Sequence, residues 1–283
     1  MAFNIVWVTG AAGLIGSELV RHAQANAGDF SVVGLTRAEL DLTDFRAVQE
    51  RFEAERPVGI LHCAALSRSP ACEAEPTLAR RINVDATRVL SELSGDLRFL
   101  LFSTDLVFDG RKGSYVEDDE VHPLNIYAET KVQAEEVVRR HPNYQIIRTS
   151  LNYGHSTSMD RAFNEEMVNA WRAGKTLRLF TDEYRCPIAA SVTAAAVWEL
   201  FRLGETGLWH VAGSERLSRW QIGELLAKRH TELNPRVEPS SLKTFSGAPR
   251  SPDVALDSSK ARSRLSTDLP EFSVWLDQNE PCL

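Results

Sequence analysis

The segment Val6-Trp-Val-Thr-Gly10-Ala-Ala-Gly13-Leu-Ile-Gly16 decides how this chain folds. An apolar run leads into three glycines at three-residue intervals, and a helical pattern follows. Each glycine has a physical reason to be there. Gly10 permits a sharp exit from a strand. Gly13 lets backbone N–H groups approach an anion. Gly16 allows a helix to pack closely on the strand, and the helix N-terminus turns its dipole toward the same anion. A glycine triplet alone is a weak signal. Between a strand and a helix it reads as a pyrophosphate cradle, with Ala12, Leu14 and Ile15 beside the glycines.

Outward from this turn, short apolar runs alternate with longer amphipathic stretches. Phe3–Val8, Ser31–Leu35, Gly59–Cys63, Arg98–Phe102 and Tyr144–Ile147 read as buried strands. Helical patterns lie between them, near 14–26, 43–55, 76–94 and 125–140. Thr43 is placed to cap the second of these, and Pro76 suits the first turn of the third. Continuous apolar strands separated by helices imply an α/β doubly wound parallel sheet covered on both faces. Residues 1–150 therefore read as a dinucleotide-binding Rossmann domain, and 151–283 as a smaller substrate-binding lobe. A segment near 186–212 is expected to return to the first domain. In the lobe, helical patterns at 160–173 and 191–203 precede a strand at Leu208–Val211. Ser218-Arg-Trp-Gln221 is a capping box that opens a helix to about 230. Pro235–Pro252 reads as loop, followed by short helices near 258–265 and 270–279. Trp171, Trp198 and Trp209 are expected in the core.

The chain has 283 residues, 43% hydrophobic, with a net charge of −7. An acidic surface argues against nucleic acid or anionic membrane as a partner. No apolar run approaches the roughly 20 residues of a membrane span, and the apolar start lacks a basic leader. The sequence thus reads as soluble and cytoplasmic. The four cysteines, Cys63, Cys72, Cys186 and Cys282, show neither C-x-x-C spacing nor histidines at zinc-ligand intervals. They read as reduced, packed thiols, and no metal is expected.

The end of the second strand bears on the choice of dinucleotide. An acidic residue there suits the ribose 2′-hydroxyl of NAD, and a cation suits the 2′-phosphate of NADP. In Gly34-Leu-Thr36-Arg37-Ala-Glu39, Arg37 is the first charged residue. Arg37, with Thr36, favours NADPH ahead of NADH. Glu39 is close enough to serve a ribose hydroxyl instead.

Tyr127-Ala-Glu-Thr-Lys131 puts a phenol and an ammonium at i and i+4 on one helical face. A tyrosine rarely ionises at pH 7, and bringing it there takes about 4 kcal/mol of differential stabilisation. A neighbouring ammonium supplies part of that. In the reductive direction the same phenol donates a proton to a carbonyl oxygen as general acid. Upstream, Phe102-Ser-Thr-Asp-Leu-Val-Phe-Asp-Gly110 leaves the fourth strand at its carboxyl end, the edge where α/β sheets bind ligands.

The G-x-x-G-x-x-G spacing resembles the extended short-chain dehydrogenase/reductases. Ser-Thr-Asp-Leu-Val-Phe-Asp-Gly with Tyr127-Ala-Glu-Thr-Lys131 is similar to the dTDP-4-dehydrorhamnose reductase group within them. The likeness covers nearly the whole chain and loosens beyond about residue 185. It implies NADPH- or NADH-dependent reduction of the C4 ketone of a nucleotide-linked deoxysugar, with Thr104, Tyr127 and Lys131 as the catalytic set. Lys131 and Tyr127 also meet the cofactor. It implies further cofactor contacts at Asp41 and Leu42 beside the adenine. Cys63, Ala64 and Ala65 would follow after the third strand, with Asn83 and Ser103. Substrate contacts are implied at Ser67, Asp105, Val107, Asn152, Arg185 and Arg250, the last two suited to a diphosphate. Nothing reads out the base. A homodimer is implied by the same analogy.

Two departures keep other readings open. Sugar-nucleotide 4,6-dehydratases carry Asp-Glu after the catalytic threonine, and here Asp105 is followed by Leu106, which argues against dehydration. Epimerases are harder to separate. The family also includes the regulatory beta subunit of methionine adenosyltransferase, so an NADP-binding partner protein is the alternative of another class.

Overall fold

The computed structural model describes residues 4–279; Phe3, at the start of the first expected strand, and Cys282 lie outside them. Strands β1 (Ile5–Thr9), β2 (Ser31–Leu35), β3 (Gly59–His62), β4 (Arg98–Thr104) and β5 (Tyr144–Thr149) follow the apolar runs closely. Helices α1 (Leu14–Arg21), α2 (Ala23–Asn26), α3 (Phe45–Glu55), α4 (Ser69–Ala74), α5 (Pro76–Arg80), α6 (Ala86–Ser94) and α7 (Ile126–Val138) lie between them. The second half adds β6 (Asn152–Tyr153), α8 (Phe163–Arg172), β7 (Thr176–Phe180), β8 (Tyr184–Arg185), β9 (Ile188–Ala189), α9 (Ala190–Leu203), β10 (Gly207–Val211), β11 (Leu217–Ser218), α10 (Arg219–Arg229), β12 (Arg236–Ser240), α11 (Ser259–Arg264) and α12 (Phe272–Gln278).

Six strands form one parallel sheet in the order β10-β5-β4-β3-β1-β2. The chain leaves β1 toward β2 and returns as β3 on the other side of β1. Such a reversal opens a crevice at the carboxyl ends of β1 and β3. Both faces of the sheet are buried, which is why its strands carry few polar residues. Val6, Val8, Leu61, Leu100 and Ile147 pack on one face against Trp198, Val197 and Leu19. Trp7, Ile60, Phe99 and Leu101 pack on the other against Val48, Leu90, Ala134 and Val138. Segment 190–211 supplies α9 and the sixth strand to this sheet. A separate core gathers Tyr153, Phe163, Trp171, Ile222, Leu226 and Phe272 from the second half. Trp171, Trp198 and Trp209 are all buried.

Several local expectations are corrected. The pattern at 14–26 is two helices, broken at His22. Asp44, not Thr43, caps α3: its carboxylate accepts the Ala47 N–H at 3.1 Å, while Thr43 donates its N–H and hydroxyl to Asp41. Segment 76–94 is not one regular helix, because Arg81–Asp85 form a π-turn between α5 and α6. Extra residues of this kind re-aim a side chain, here Asn83. Helix α4 was not foreseen. Segment 235–252 is not all loop, for β12 pairs in parallel with β7, another strand the periodicity missed. Pro239 is tolerated there because β12 is paired on one side only.

Candidate active site

The glycine turn and the end of β3 pack directly on one another. Gly10 has φ +70°, and a Cβ on it would lie 2.7 Å from the Ala64 nitrogen. A Cβ on Gly16 would lie 2.3 Å from the Gly10 oxygen. Thr9 Oγ1 accepts the Ala64 N–H at 3.3 Å and hydrogen-bonds His62 Nδ1 at 2.7 Å. His62 Nε2 is 3.0 Å from Thr87 Oγ1, and burial holds its pKa down at about 3, so it is a neutral strut. Gly13 is the N-cap of α1 and brings no side chain to it. Leu14 and Ile15, which open α1, thus follow the carboxyl end of β1 across the turn that includes Ala12, and Cys63, Ala64 and Ala65 follow that of β3. The Cys63 thiol is pushed up by burial and stays protonated.

At the end of β2, Glu39 turns back on Thr36, accepting its N–H at 2.8 Å and its hydroxyl at 2.7 Å. Both polar groups are therefore engaged. The Arg37 side chain is 83% exposed, with Nε 3.5 Å from the Asp41 carboxylate. Leu42 is half-buried beside them.

Tyr127 and Lys131 stand in the first turns of α7. Asn125 caps this helix by accepting the Ala128 N–H at 3.0 Å. Asn83 does not reach into the crevice. Its amide spans the Leu66 backbone (2.8 and 3.1 Å) and Thr130 Oγ1 (2.9 Å), and Thr130 donates to the Tyr127 carbonyl at 2.8 Å. The π-turn thus ties the loop after β3 to the turn that carries the phenol.

The pleat of β4 sends the neighbours Ser103 and Thr104 to different partners. Ser103 points to the α7 side and donates to Glu135 Oε1 at 2.5 Å, where Arg148 grips the same carboxylate at 2.9 and 2.7 Å. Thr104 faces Tyr127 and Asp105 instead, its hydroxyl lying 3.2 Å from Asp105 Oδ1. Burial raises the Tyr127 pKa above that of a free phenol; Asp105 raises it further and the Thr104 hydroxyl opposes this. The phenol therefore carries its proton, as a general acid must. Lys131 is 3% exposed. Burial pulls its pKa down to about 8, with Glu135 and Cys63 opposing. Its ammonium makes no hydrogen bond or ion pair with any described residue.

The substrate side is built differently from expectation. Asp105 accepts Ser150 Oγ at 2.6 Å and faces Arg185 Nε at 3.8 Å; burial raises its pKa while Arg185 opposes. Arg185 is buried and Arg250 is partly exposed, yet neither guanidinium is free. Arg185 is 4% exposed, and both grip Glu183, which the sequence reading missed. The run Asp182-Glu183-Tyr184-Arg185 offered that signal by setting two carboxylates beside an arginine. Asn152 spends its amide on Thr149, Ser150 and Thr193. Val107 is fully buried in the Phe108 cluster, and its carbonyl accepts the His122 N–H. Ser67 is exposed on the loop after β3.

Residues 4–278 match the RmlD substrate binding domain family. The chain belongs to that family. Within it, the chain is 32% identical over 238 residues to the probable low-salt glycan biosynthesis reductase Agl14 of Haloferax volcanii, covering 78% of this chain and 79% of that one. Methionine adenosyltransferase 2 subunit beta of Xenopus laevis is 27% identical over 267 residues, 89% of this chain and 80% of the relative. The structure of a hypothetical dTDP-4-dehydrorhamnose reductase from Sulfolobus tokodaii superposes with a TM-score of 0.83 at 32% identity, covering 95% of this chain and 97% of that one. The extended short-chain reductase fold and the oxidoreductase class read from the sequence agree with these RmlD relatives. No helix among the described residues is long and apolar enough to cross a membrane.

The crevice fits a nicotinamide dinucleotide on two observations. A Cβ at Gly10 or Gly16 would strike backbone atoms of the turn or of Ala64, so only glycine lets the turn fold this tightly at the start of α1, and the buried Lys131 ammonium makes no hydrogen bond or ion pair among the described residues where ribose hydroxyls would supply one.

Proposed function

We propose that the protein is an NADPH-dependent reductase of a nucleotide-sugar ketone, working as the dTDP-4-dehydrorhamnose reductase group does. The observation that carries this reading is Lys131, a buried ammonium with no hydrogen bond or ion pair among the described residues, one turn from a protonated Tyr127. A bare buried cation is costly, and it is retained where a ligand offsets that cost.

A bound nicotinamide supplies hydride to the carbonyl carbon. Thr104 and Tyr127 hold the carbonyl oxygen from one side. Tyr127 releases its phenolic proton to that oxygen as negative charge builds there. Lys131 binds ribose hydroxyls and stabilises the phenolate left behind. Asn83, through Thr130, keeps the phenol in place. Leu106, half-buried against the Phe108 cluster, stands where a dehydratase needs its second carboxylate, which supports reduction over elimination.

Arg37 supports NADPH over NADH. It is exposed and loosely tied to Asp41, whereas Glu39 is occupied by Thr36. Arg37→Ala is expected to raise KM for NADPH about tenfold or more and leave that for NADH unchanged.

The test is NADPH oxidation by the purified protein across a panel of 4-keto-6-deoxy nucleotide sugars. Tyr127→Phe should keep NADPH binding, read by nicotinamide fluorescence, and lose turnover by about 100-fold or more. Turnover retained in that variant sinks the mechanism. The wide match to methionine adenosyltransferase 2 subunit beta supports a second reading, a cofactor-binding partner protein. That reading wins if no sugar nucleotide is reduced and a stoichiometric partner co-purifies.

A further inference from the structure

Three guanidinium groups, those of Arg185, Arg219 and Arg250, surround the Glu183 carboxylate next to the catalytic side chains. Two of them are chemically spent. Arg250 donates Nε and Nη2 to Glu183 Oε2 and Oε1 at 2.6 and 2.9 Å. Arg185 gives Nη2 to Glu183 at 2.9 Å and Nη1 to the Tyr184 and Ser251 carbonyls at 2.8 and 3.2 Å. The third is different. Arg219 has its backbone fixed, since its N–H donates to the Glu183 carbonyl at 2.9 Å. Its guanidinium lies 5.6 Å from the centre of the Phe163 ring and makes no hydrogen bond or ion pair with any described residue. The ring contact satisfies none of its five N–H donors.

Three cations face two buried carboxylates, Glu183 and Asp105, and Asp105 is itself pushed toward its neutral form by burial. The third carboxylate in reach, Glu166, is 60% exposed. A cationic excess therefore falls on Arg219: burial drags its pKa to about 10, Glu183 and more weakly Glu166 draw it back, and Arg185 and Arg250 repel it. Such an excess is unfavourable in the free protein and favourable once a polyanion neutralises it.

The cluster also sits at a useful distance along the cleft. Thr104 adjoins Asp105, Asp105 faces Arg185 at 3.8 Å, and Arg185 and Arg219 share Glu183. A sugar whose ketone is held by Thr104 and Tyr127 would extend its anomeric substituent in that direction.

We propose that Arg219 is the residue that receives the diphosphate of a nucleoside diphosphate sugar, while Glu183, Arg185 and Arg250 form the frame that holds it. This rests on the reductase reading above and names its substrate as a diphosphate ester. It also moves the anion contact from Arg185 and Arg250, where the sequence put it, to a residue on the first turn of α10. A planar guanidinium with all its donors unspent takes two phosphoryl oxygens in a fork.

The experiment titrates dTDP and UDP by calorimetry into the wild-type protein and Arg219→Met, each saturated with NADPH. The wild type is expected to bind at least one of them. Arg219→Met should bind it about 10–100-fold more weakly, with unchanged NADPH affinity and a thermal midpoint no lower than that of the wild type. For the nucleotide sugar, KM should rise more than kcat falls, and Arg219→Lys should recover part of the loss. Equal diphosphate affinity in wild type and Arg219→Met overturns the assignment and leaves the reductase reading standing. No binding of either diphosphate to the wild type, with no nucleotide sugar reduced, overturns both.

Discussion

Arg250 closes a two-bond fork on Glu183, an otherwise buried carboxylate that also holds Arg185. The pair ties segment 250–252 to β8 and frames the cleft beside Asp105. Removing the carboxylate strands several guanidinium groups at once. Glu183→Ala should therefore cost about 3–5 kcal/mol in urea denaturation. Arg250→Met should cost clearly less, because Glu183 keeps Arg185 and the Arg250 side chain is 39% exposed.

Neighbours on β4 should separate cleanly by role. Ser103→Ala removes one bond to a charged carboxylate that Arg148 still holds. It should lower stability by about 1–2 kcal/mol and leave kcat near wild type. Thr104→Ala should do the reverse, with kcat down about 100-fold and the melting temperature little changed. The two variants, assayed by NADPH oxidation and by thermal unfolding, check which hydroxyl does the chemistry.

Lys131 makes stability depend on pH in the protein stripped of dinucleotide. Its folded pKa is about 8, against 10.5 for the free side chain. Below pH 8 both states hold the proton, and the folded state bears the full desolvation cost. Between 8 and 10.5 the unfolded chain binds more protons, so this group adds stability as pH rises. Lys131→Met should therefore be more stable than wild type at pH 7, by up to ~3 kcal/mol. The gap should narrow toward pH 10. Melting temperatures of both proteins across that range decide it, and a gap that stays constant with pH contradicts it.

Gly16→Ala tests the glycine turn. The new Cβ would lie 2.3 Å from the Gly10 oxygen and 2.7 Å from its carbonyl carbon, both backbone atoms. The turn must shift, at a cost of about 1–3 kcal/mol. NADPH affinity should fall with it, which a fluorescence titration reads directly.

Much of this was legible in the sequence because the cues were local. The apolar run Tyr144–Ile147 lies in the observed strand β5, since a strand buried on both faces writes itself as continuous hydrophobicity. Ser218 caps α10 as read, because a capping box is a contact three residues long. What failed lacked a local signature. Strands β7 and β12 form a two-stranded pair in which β12 is largely polar and carries Pro239, while β7, Thr-Leu-Arg-Leu-Phe, alternates over too few residues to stand out. Thr43 and Asp44 are both good caps, and only the Asx turn at Asp41 decides between them.

The site divides in the same way. Gly10, Gly13 and Gly16, with the i, i+4 pair Tyr127 and Lys131, were determined by sequence alone. Their chemistry depends on backbone freedom and helical spacing, which a short segment contains. Which of Ser103 and Thr104 faces the phenol depended on the register of β4 against α7. That Asn83 braces the active-site helix required a π-turn no pattern announced. That Arg185 and Arg250 are spent on Glu183, leaving the Arg219 guanidinium without a hydrogen bond or ion pair among the described residues, was decided only in the folded chain. Charges far apart in sequence there share one low-dielectric pocket, and burial rather than identity settles which of them is left without a partner.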